Sequence, residues 1–319
     1  MAGPHNEGVS APVLAIAGPT ASGKSDLALE VAQRLGAEIV GADALQLYRG
    51  MDIGTAKVPP AQRRGIPHHQ IDVLDIHEDA SVAAYQRHAR ADLAAIAARG
   101  HRAVLVGGSG LYVRAALDDL RIPPTDPAVR ARLEDDVHAL GLEAVRARLE
   151  RLDPAAAAAI EPRNARRIVR ALEVIELTGA RFSATLPSGR FAVPAALVAL
   201  RVPRAQLDAR IAARTAAMWE AGLPAEVEAL AARGLADTRT ASRAVGYAQC
   251  LDQLAGRITA DQAIEATATA TRRLVRRQES WLRGDPRVIW LDAPDGTGVG
   301  VLADRALDVL RDAARDQRQ

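Results

Sequence analysis

The sequence predicts an α/β fold, a parallel-sheet core interrupted by a helical insertion, and three observations carry that prediction. A glycine-rich pattern, Gly18-Pro19-Thr20-Ala21-Ser22-Gly23-Lys24-Ser25, sits between an apolar run at 13–17 and an amphipathic run at 26–35. It fits the phosphate-binding loop in its required strand-loop-helix setting. Further short apolar runs at 38–42, 103–106 and 195–202 alternate with amphipathic stretches, as strands and covering helices do. Residues 128–179 carry no strand signal and read as helix throughout. The chain is therefore read as a P-loop NTPase-like core over 12–120 and 195–312, with a helical insertion domain over 121–194.

Each element follows from local chemistry. Residues 1–11 are polar and read as a loose tail. After the first strand, the loop glycines let the backbone wrap a phosphate, and the loop N–H groups and helix N-terminus face negative charge. Lys24 adds a point charge, and the Ser25 hydroxyl is a candidate ligand for Mg²⁺. Lys24 and Lys57 are the only lysines among 41 basic residues. A compact ammonium fits between phosphate oxygens where a planar guanidinium does not, so Lys24 is placed on phosphate. Lys57 is read either as a second such contact or as a surface residue. The second strand, 38–42, runs into Asp43, where open α/β sheets place ligands; the competing reading of Asp43 is a helix N-cap. Pro67-His68-His69-Gln70-Ile71-Asp72-Val73 reads as a loop into a third strand. Neighbours in extended chain point to opposite faces, so the two histidines do not form one metal site. Residues 81–99 read as a helix.

The strand at 103–106 ends in Gly107-Gly108-Ser109-Gly110, without the Asp that an ordinary phosphate-loop ATPase places there for Mg²⁺. The glycines suggest a surface that something bulky approaches. Asp126-Pro127 starts the insertion as N-cap and first helical residue, Asp153-Pro154 restarts it, and Gly179 stops it. Arg163, Arg166, Arg167 and Arg170 fall at helical spacing, with only Glu161 to offset them, and suit contact with a phosphate backbone. A strand at 195–202 and helices at 206–219, 225–232 and beyond 247 follow. Arg272, Arg273, Arg276, Arg277 and Arg283, offset only by Glu279 and accompanied by Trp281, make a second basic surface suited to RNA. A strand at 287–291 and a helix to about 315 close the chain.

Composition bounds the function. With 49% hydrophobic residues and a net charge of +2, the chain buries a sizeable core, and any nucleic-acid footprint is local. One cysteine, Cys250, leaves no internal disulfide and suits a reducing compartment, and no zinc spacing is present. No apolar run has the length of a signal peptide or membrane span, which predicts a soluble cytoplasmic protein.

Taken together, the motifs resemble the tRNA dimethylallyltransferase (isopentenylpyrophosphate transferase) family. The matches run in order: Gly-Pro-Thr-Ala-Ser-Gly-Lys at 18–24, Asp-x-x-Gln-x-Tyr at 43–48, Asp-Ile-Gly-Thr-Ala-Lys at 52–57, Pro-His-His-x-Ile-Asp at 67–72, Gly-Gly-x-Gly-Leu-Tyr at 107–112, Asp-Pro-x-x-Arg at 126–130, Arg-Ala-Leu-Glu-Val at 170–174, Val-Gly-Tyr at 245–247 and Arg-Arg-Gln-x-x-Trp-Leu-Arg at 276–283. The resemblance implies that Gly18 to Ser25 and Arg214 grip dimethylallyl diphosphate with Mg²⁺. It makes Asp43 the general base on the exocyclic amine of the adenine 3′ of the tRNA anticodon, a base flipped out of the anticodon loop. Asp43, Ala44, Leu45, Gln46, Ser109, Arg130, Arg166, Arg167 and Arg170 are then tRNA contacts, and Lys24 and Arg214 join Asp43 as catalytic residues. Ala44 stands where the family usually has Ser, Ser25 and Ser109 stand for Thr, and Arg276 stands where Lys is common. The expected partners are the tRNA anticodon stem-loop and dimethylallyl diphosphate, with no membrane and a monomeric chain. Two other readings stay open on the sequence: a phosphate-loop kinase of a small metabolite, and a non-catalytic RNA-binding module switched by nucleotide.

Overall fold

The computed structural model describes residues 11–185 and 189–316; the tail expected at the N-terminus lies, but for its last residue, outside them. The chain forms two compact units, one from residues up to 117 and from 191 onward, the other from 118 to 190.

The first unit begins with β1 (Val13–Ala17), α1 (Lys24–Leu35), β2 (Glu38–Gly41), β3 (His68–His69), α2 (Val82–Ala98), β4 (Ala103–Gly107) and α3 (Gly110–Leu117). The second unit holds α4 (Pro127–Leu140), α5 (Leu142–Leu152), α6 (Pro154–Ala159) and α7 (Ala165–Thr178). The first unit then resumes with β5 (Ala195–Arg201), α8 (Arg204–Glu220), α9 (Leu223–Ala231), α10 (Tyr247–Leu254), α11 (Ala260–Arg283), β6 (Ile289–Asp292) and α12 (Val299–Asp316).

The six strands form one all-parallel sheet in the order β3-β2-β4-β1-β5-β6. β1 pairs with β4 through Leu14↔Val104 and with β5 through Leu14↔Ala196. All five residues of β1 are buried, as a central parallel strand between two helical layers requires. Leu14, Ile16, Leu27, Val31, Val104, Val198 and Leu302 belong to the main core between the sheet and helices such as α1 and α12. The carboxyl ends of β1 and β2 lead into the phosphate loop and Asp43, which the sheet brings to one crevice, with Val106 and Gly107 of β4 on its wall; Ser109, two residues further on, does not line it.

Two strand expectations shift. The third strand, expected to follow a loop in 67–73, lies within that stretch as β3 (His68–His69), because the pairing with β2 is made through Ile39↔His68 and Val40↔His69. The last strand starts at Ile289. The glycines after β4 also have another explanation. A Cβ at Gly107 would lie 2.1 Å from the Ala42 carbonyl oxygen, and one at Gly110 would lie 2.0 Å from the Trp281 ring. They admit neighbouring chain, not a bulky ligand, and Trp281 is a packing residue over which Arg114 stacks at 5.1 Å.

The second unit has its own core, in which Leu133, Val145, Leu149, Ile168 and Leu172 are buried. Asp126 caps α4 by accepting the N–H groups of Ala128 and Val129, and Asp153 caps α6 through Ala156. The fully buried carboxylate of Glu173 accepts from Arg130 at 2.6 Å, Arg170 at 2.9 Å and the Asp126 N–H at 2.9 Å. Arg170 donates as well to the carbonyls of Pro123 and Pro124. The expected face of four unneutralised arginines is therefore corrected. Arg170 is engaged, and Arg163 precedes α7, whose N-cap is Asn164. Arg166 and Arg167 stay exposed, with no ion pair among the described residues.

No helix among the described residues is long and apolar enough to cross a membrane.

Candidate active site

A cavity of about 620 Å³ opens at the carboxyl edge of the sheet, lined by Thr20 to Asp26, Asp43, Gln46, Thr55 to Pro59, Arg210 and Arg214 among others. A smaller chamber of about 80 Å³ shares Thr20, Ala21, Asp43, Thr55 and Arg214 with it. The rest of the small chamber includes the apolar side chains of Leu45, Ile211, Met218, Val245 and Leu274. Asp43 and Arg214 thus stand where a polar hollow meets a mainly apolar one.

The loop is shaped by its own backbone and by one distant side chain. Ala21 adopts a left-handed conformation (φ 63°), which reverses the chain ahead of α1. The Thr20 N–H donates to Gln278 Oε1 of α11 at 3.0 Å, which pins the loop from outside. Gln278 is the glutamine of the Arg-Arg-Gln-x-x-Trp-Leu-Arg stretch at 276–283; that stretch marked the residue, but not its role on the loop. Ser22 Oγ is buried and meets no hydrogen-bond partner among the described residues. A buried hydroxyl left in that state costs about 1–3 kcal/mol, a penalty that an anion in the loop removes.

Lys24, half-buried, donates to the Pro19 carbonyl at 3.3 Å. Burial lowers its pKa to about 8, with the charge of Asp43 acting against the fall and that of Arg214 adding to it. Burial also lowers the pKa of Arg214, opposed by Asp26 and Asp43. Two cations held at the expense of hydration next to a hollow are a site prepared for negative charge. Asp43 Oδ1 accepts the Leu45 N–H at 3.0 Å, a local turn that aims the carboxylate into both chambers and starts no helix. Gln46 donates through Nε2 to the Thr55 carbonyl at 3.0 Å. Ser109 leads into α3, its carbonyl accepting the Tyr112 and Val113 N–H groups.

Other candidates resolve into structure. Lys57 is buried, with Nζ on the Tyr48 carbonyl at 2.5 Å, Asp52 at 2.8 Å and Asp72 at 2.5 Å, so its charge is matched by protein. His69 bonds Glu38 at 2.6 Å, and His68 bonds the Ile66 carbonyl at 2.8 Å. Among the described residues no group of three or more His, Cys, Asp or Glu side chains is arranged to hold a metal ion. The oxygen that fits Mg²⁺ is the Ser25 hydroxyl on the cavity wall, a donor suited to an ion that takes most of its ligands from phosphate and water. On the second basic surface, Arg272 pairs with Glu265 at 3.2 Å and Arg283 with Glu279 at 3.8 Å, so Glu265 joins Glu279 in offsetting it.

A phosphate loop, two desolvated cations and a carboxylate facing an apolar chamber define the class: an α/β phosphate-loop protein with a site suited to negative charge beside an apolar hollow. The comparisons with known proteins give the family. The model of the IPP transferase family matches residues 46–285. The tRNA dimethylallyltransferase of Kineococcus radiotolerans is 58% identical over 305 residues, covering 94% of this chain and 96% of its own. That of Thermobifida fusca is 56% identical over 321 residues, with coverage of 96% and 99%. Among solved structures, the full-length tRNA isopentenylpyrophosphate transferase of Bacillus halodurans superposes with a TM-score of 0.72 at 36% identity, covering 97% of this chain and all of the other. A eukaryotic dimethylallyltransferase acting on tRNA gives 0.79 at 25% identity, covering 93% and 78%. The chain belongs to the IPP transferase family.

Proposed function

We propose that this enzyme transfers the dimethylallyl group of dimethylallyl diphosphate to the exocyclic N6 amine of the adenine immediately 3′ of the anticodon in tRNA, releasing diphosphate. The observation that carries the reading is the placing of Asp43 and Arg214 where the loop-lined cavity joins the apolar chamber, with Lys24 on the wall of that cavity within reach of both charges. The diphosphate lies along the loop N–H groups from Ala21 to Ser25, with Lys24 and Arg214 on its oxygens and the Ser22 hydroxyl donating to it. The five-carbon group enters the apolar chamber. As the N6–C1 bond forms, the C1–O bond breaks, its electrons leave with the diphosphate, and Asp43 takes the amine proton. An adenine amine is a weak nucleophile, so that proton must leave as bonding begins. Lys24 and Arg214 stabilise the charge growing on the leaving group. Ser25 would hold Mg²⁺, which supplies further neutralisation of that charge when bound.

Exposed Arg166 and Arg167 support contact with the tRNA backbone, while Arg130 and Arg170 act there from an anchored position on Glu173. Gln46, Ala44, Leu45 and Ser109 line the approach of the base. We assign the chain to the cytoplasm, where its proposed substrate lies, and propose that it acts as a monomer. Incubation with tRNA and labelled dimethylallyl diphosphate tests the reading: label in an N6-modified adenosine next to the anticodon is the expected result. Label absent from RNA, with ATP turnover stimulated by a small metabolite in the parallel arm, would replace it by the kinase.

A further inference from the structure

We infer that Glu226, through the loop it holds, is a positioning residue for the acceptor side of the site; the inference rests on the function proposed above. Glu226 lies in the first turn of α9. Its Oε2 accepts the Asp52 N–H at 3.1 Å and the Ile53 N–H at 2.8 Å. Its Oε1 accepts the Gly54 N–H at 3.4 Å and the Tyr247 hydroxyl. Three successive backbone N–H groups and a phenol thus converge on one carboxylate. Gly54 fits this clamp because it has no side chain: a Cβ there would lie 2.4 Å from the Tyr247 ring.

The clamp holds a strained segment. Two residues on, Ala56 is left-handed (φ 51°), a conformation that persists in a non-glycine residue only when its surroundings fix it. The far end is tied by buried Lys57 to Asp52, Asp72 and the Tyr48 carbonyl. Between the two ties lies Thr55, whose carbonyl accepts Gln46 Nε2 at 3.0 Å. Gln46 Oε1 makes no hydrogen bond among the described residues, and Gln46 lines the larger cavity. The order of dependence is Glu226, the 52–54 backbone, the Thr55 carbonyl and then the Gln46 amide. With its Nε2 fixed, Gln46 offers Oε1 as an acceptor at a set place and angle. That is the chemistry needed by an exocyclic amine with a second N–H to donate while the first faces Asp43. Neither Glu226 nor Tyr247 lines either chamber, so both stand behind the wall that Gly54 and Thr55 form.

A double-mutant cycle in the full chain separates this from simple stabilisation. Single-turnover transfer to an anticodon stem-loop RNA is measured for wild type, Glu226→Gln, Gln46→Ala and the double variant. Glu226→Gln keeps the shape but turns one accepting oxygen into a donor. The expected result is a loss of about 10-fold from Glu226→Gln alone and less than about 2-fold on the Gln46→Ala background, because residues acting in series couple. Losses that multiply in the double variant, or a wild-type rate in Glu226→Gln, overturn the inference. If Glu226→Gln does not fold, Tyr247→Phe removes one of the four donors, and its smaller loss is expected to vanish on the Gln46→Ala background in the same way. Wild-type protein that transfers nothing to RNA defeats the proposed function instead, so the two failures are told apart in one assay.

Discussion

Lys24 stands between opposing influences. Burial strips water from its ammonium and lowers its pKa to about 8, while Asp43 pulls the other way. A bound diphosphate adds negative charge and must raise that pKa, so binding takes up a proton wherever free Lys24 is partly neutral. The sign follows: affinity falls as pH rises through 8 and above, and at about pH 8.5 binding is coupled to proton uptake. Calorimetry in two buffers of different ionisation enthalpy is expected to give different heats for wild type at about pH 8.5, and a smaller difference at about pH 7, where free Lys24 is mostly charged already. Equal heats for wild type would mean that Lys24 is fully protonated before the ligand arrives. Asp43 yields a second test. Asn matches its shape and keeps an acceptor for the Leu45 N–H, but cannot take up the amine proton. Asp43→Asn is expected to retain diphosphate binding and lower the single-turnover rate by about 10²- to 10⁴-fold, the range for loss of a general base. A rate within about threefold of wild type corresponds to well under 1 kcal/mol of barrier and would reduce Asp43 to a turn-former.

At the scale of elements, α7 separates two kinds of arginine that look alike in sequence. Arg166 and Arg167 project from its first turn without ion pairs among the described residues, while Arg170 is bound to Glu173 and two proline carbonyls. Arg166→Ala and Arg167→Ala are expected to weaken RNA binding and each to flatten the logarithmic salt dependence by about one unit, with unfolding unchanged. Arg170→Ala is expected to cost about 1–3 kcal/mol in denaturant unfolding, because it strips a partner from a buried carboxylate. A full one-unit change in salt slope for Arg170→Ala with no loss of stability would reverse that division. The Arg170–Glu173 pair lies at i,i+3 and was within reach of the spacing; what was not legible is the rest of the anchor, because Arg130 reaches Glu173 across 43 residues, the Pro123 and Pro124 carbonyls come from outside the helix, and Pro162-Arg163-Asn164 starts it later than the spacing suggests. The central strands were legible because burial on both faces leaves unbroken apolar runs. β3 was not, being two histidines long with neither side chain apolar. The loop and Asp43 could be read because their chemistry is set by near neighbours. The roles of Gln278, marked only as part of a motif, and of Glu226 could not, because they act on Thr20 and Gly54 from 258 and 172 residues away.

For the whole molecule, the sheet that carries the site is locked at its opposite end by Glu38. This buried carboxylate opens β2 and gathers Arg99 from the end of α2 at 2.8 Å, His101 ahead of β4 at 2.7 Å and His69 of β3 at 2.6 Å. Burial alone would favour its neutral form. The hydrogen bonds from Arg99, His101 and His69 outweigh that and hold its pKa to about 2. Asp285, bonded to Arg287 and Arg114, is likewise held to about 2. A carboxylate whose folded pKa lies below its unfolded value stabilises the fold fully above the unfolded pKa, and the contribution drains away as pH falls toward the folded one. For Glu38 that window runs from 4.5 down to about 2. Trp219, Trp281 and Trp290, the three tryptophans, all lie in the sheet-bearing unit, so their fluorescence reports its unfolding and not that of the second unit. The urea midpoint of wild type is expected to fall between pH 5 and pH 3. Glu38→Gln is expected to start lower, since Arg99, His101 and His69 lose a charged partner, and to fall less steeply, with Asp285 and the other ion-paired carboxylates of the unit, Glu30, Asp75 and Asp292, supplying the remaining slope. Parallel midpoint-against-pH curves for the two proteins would remove Glu38 as the acid-labile lock of the sheet.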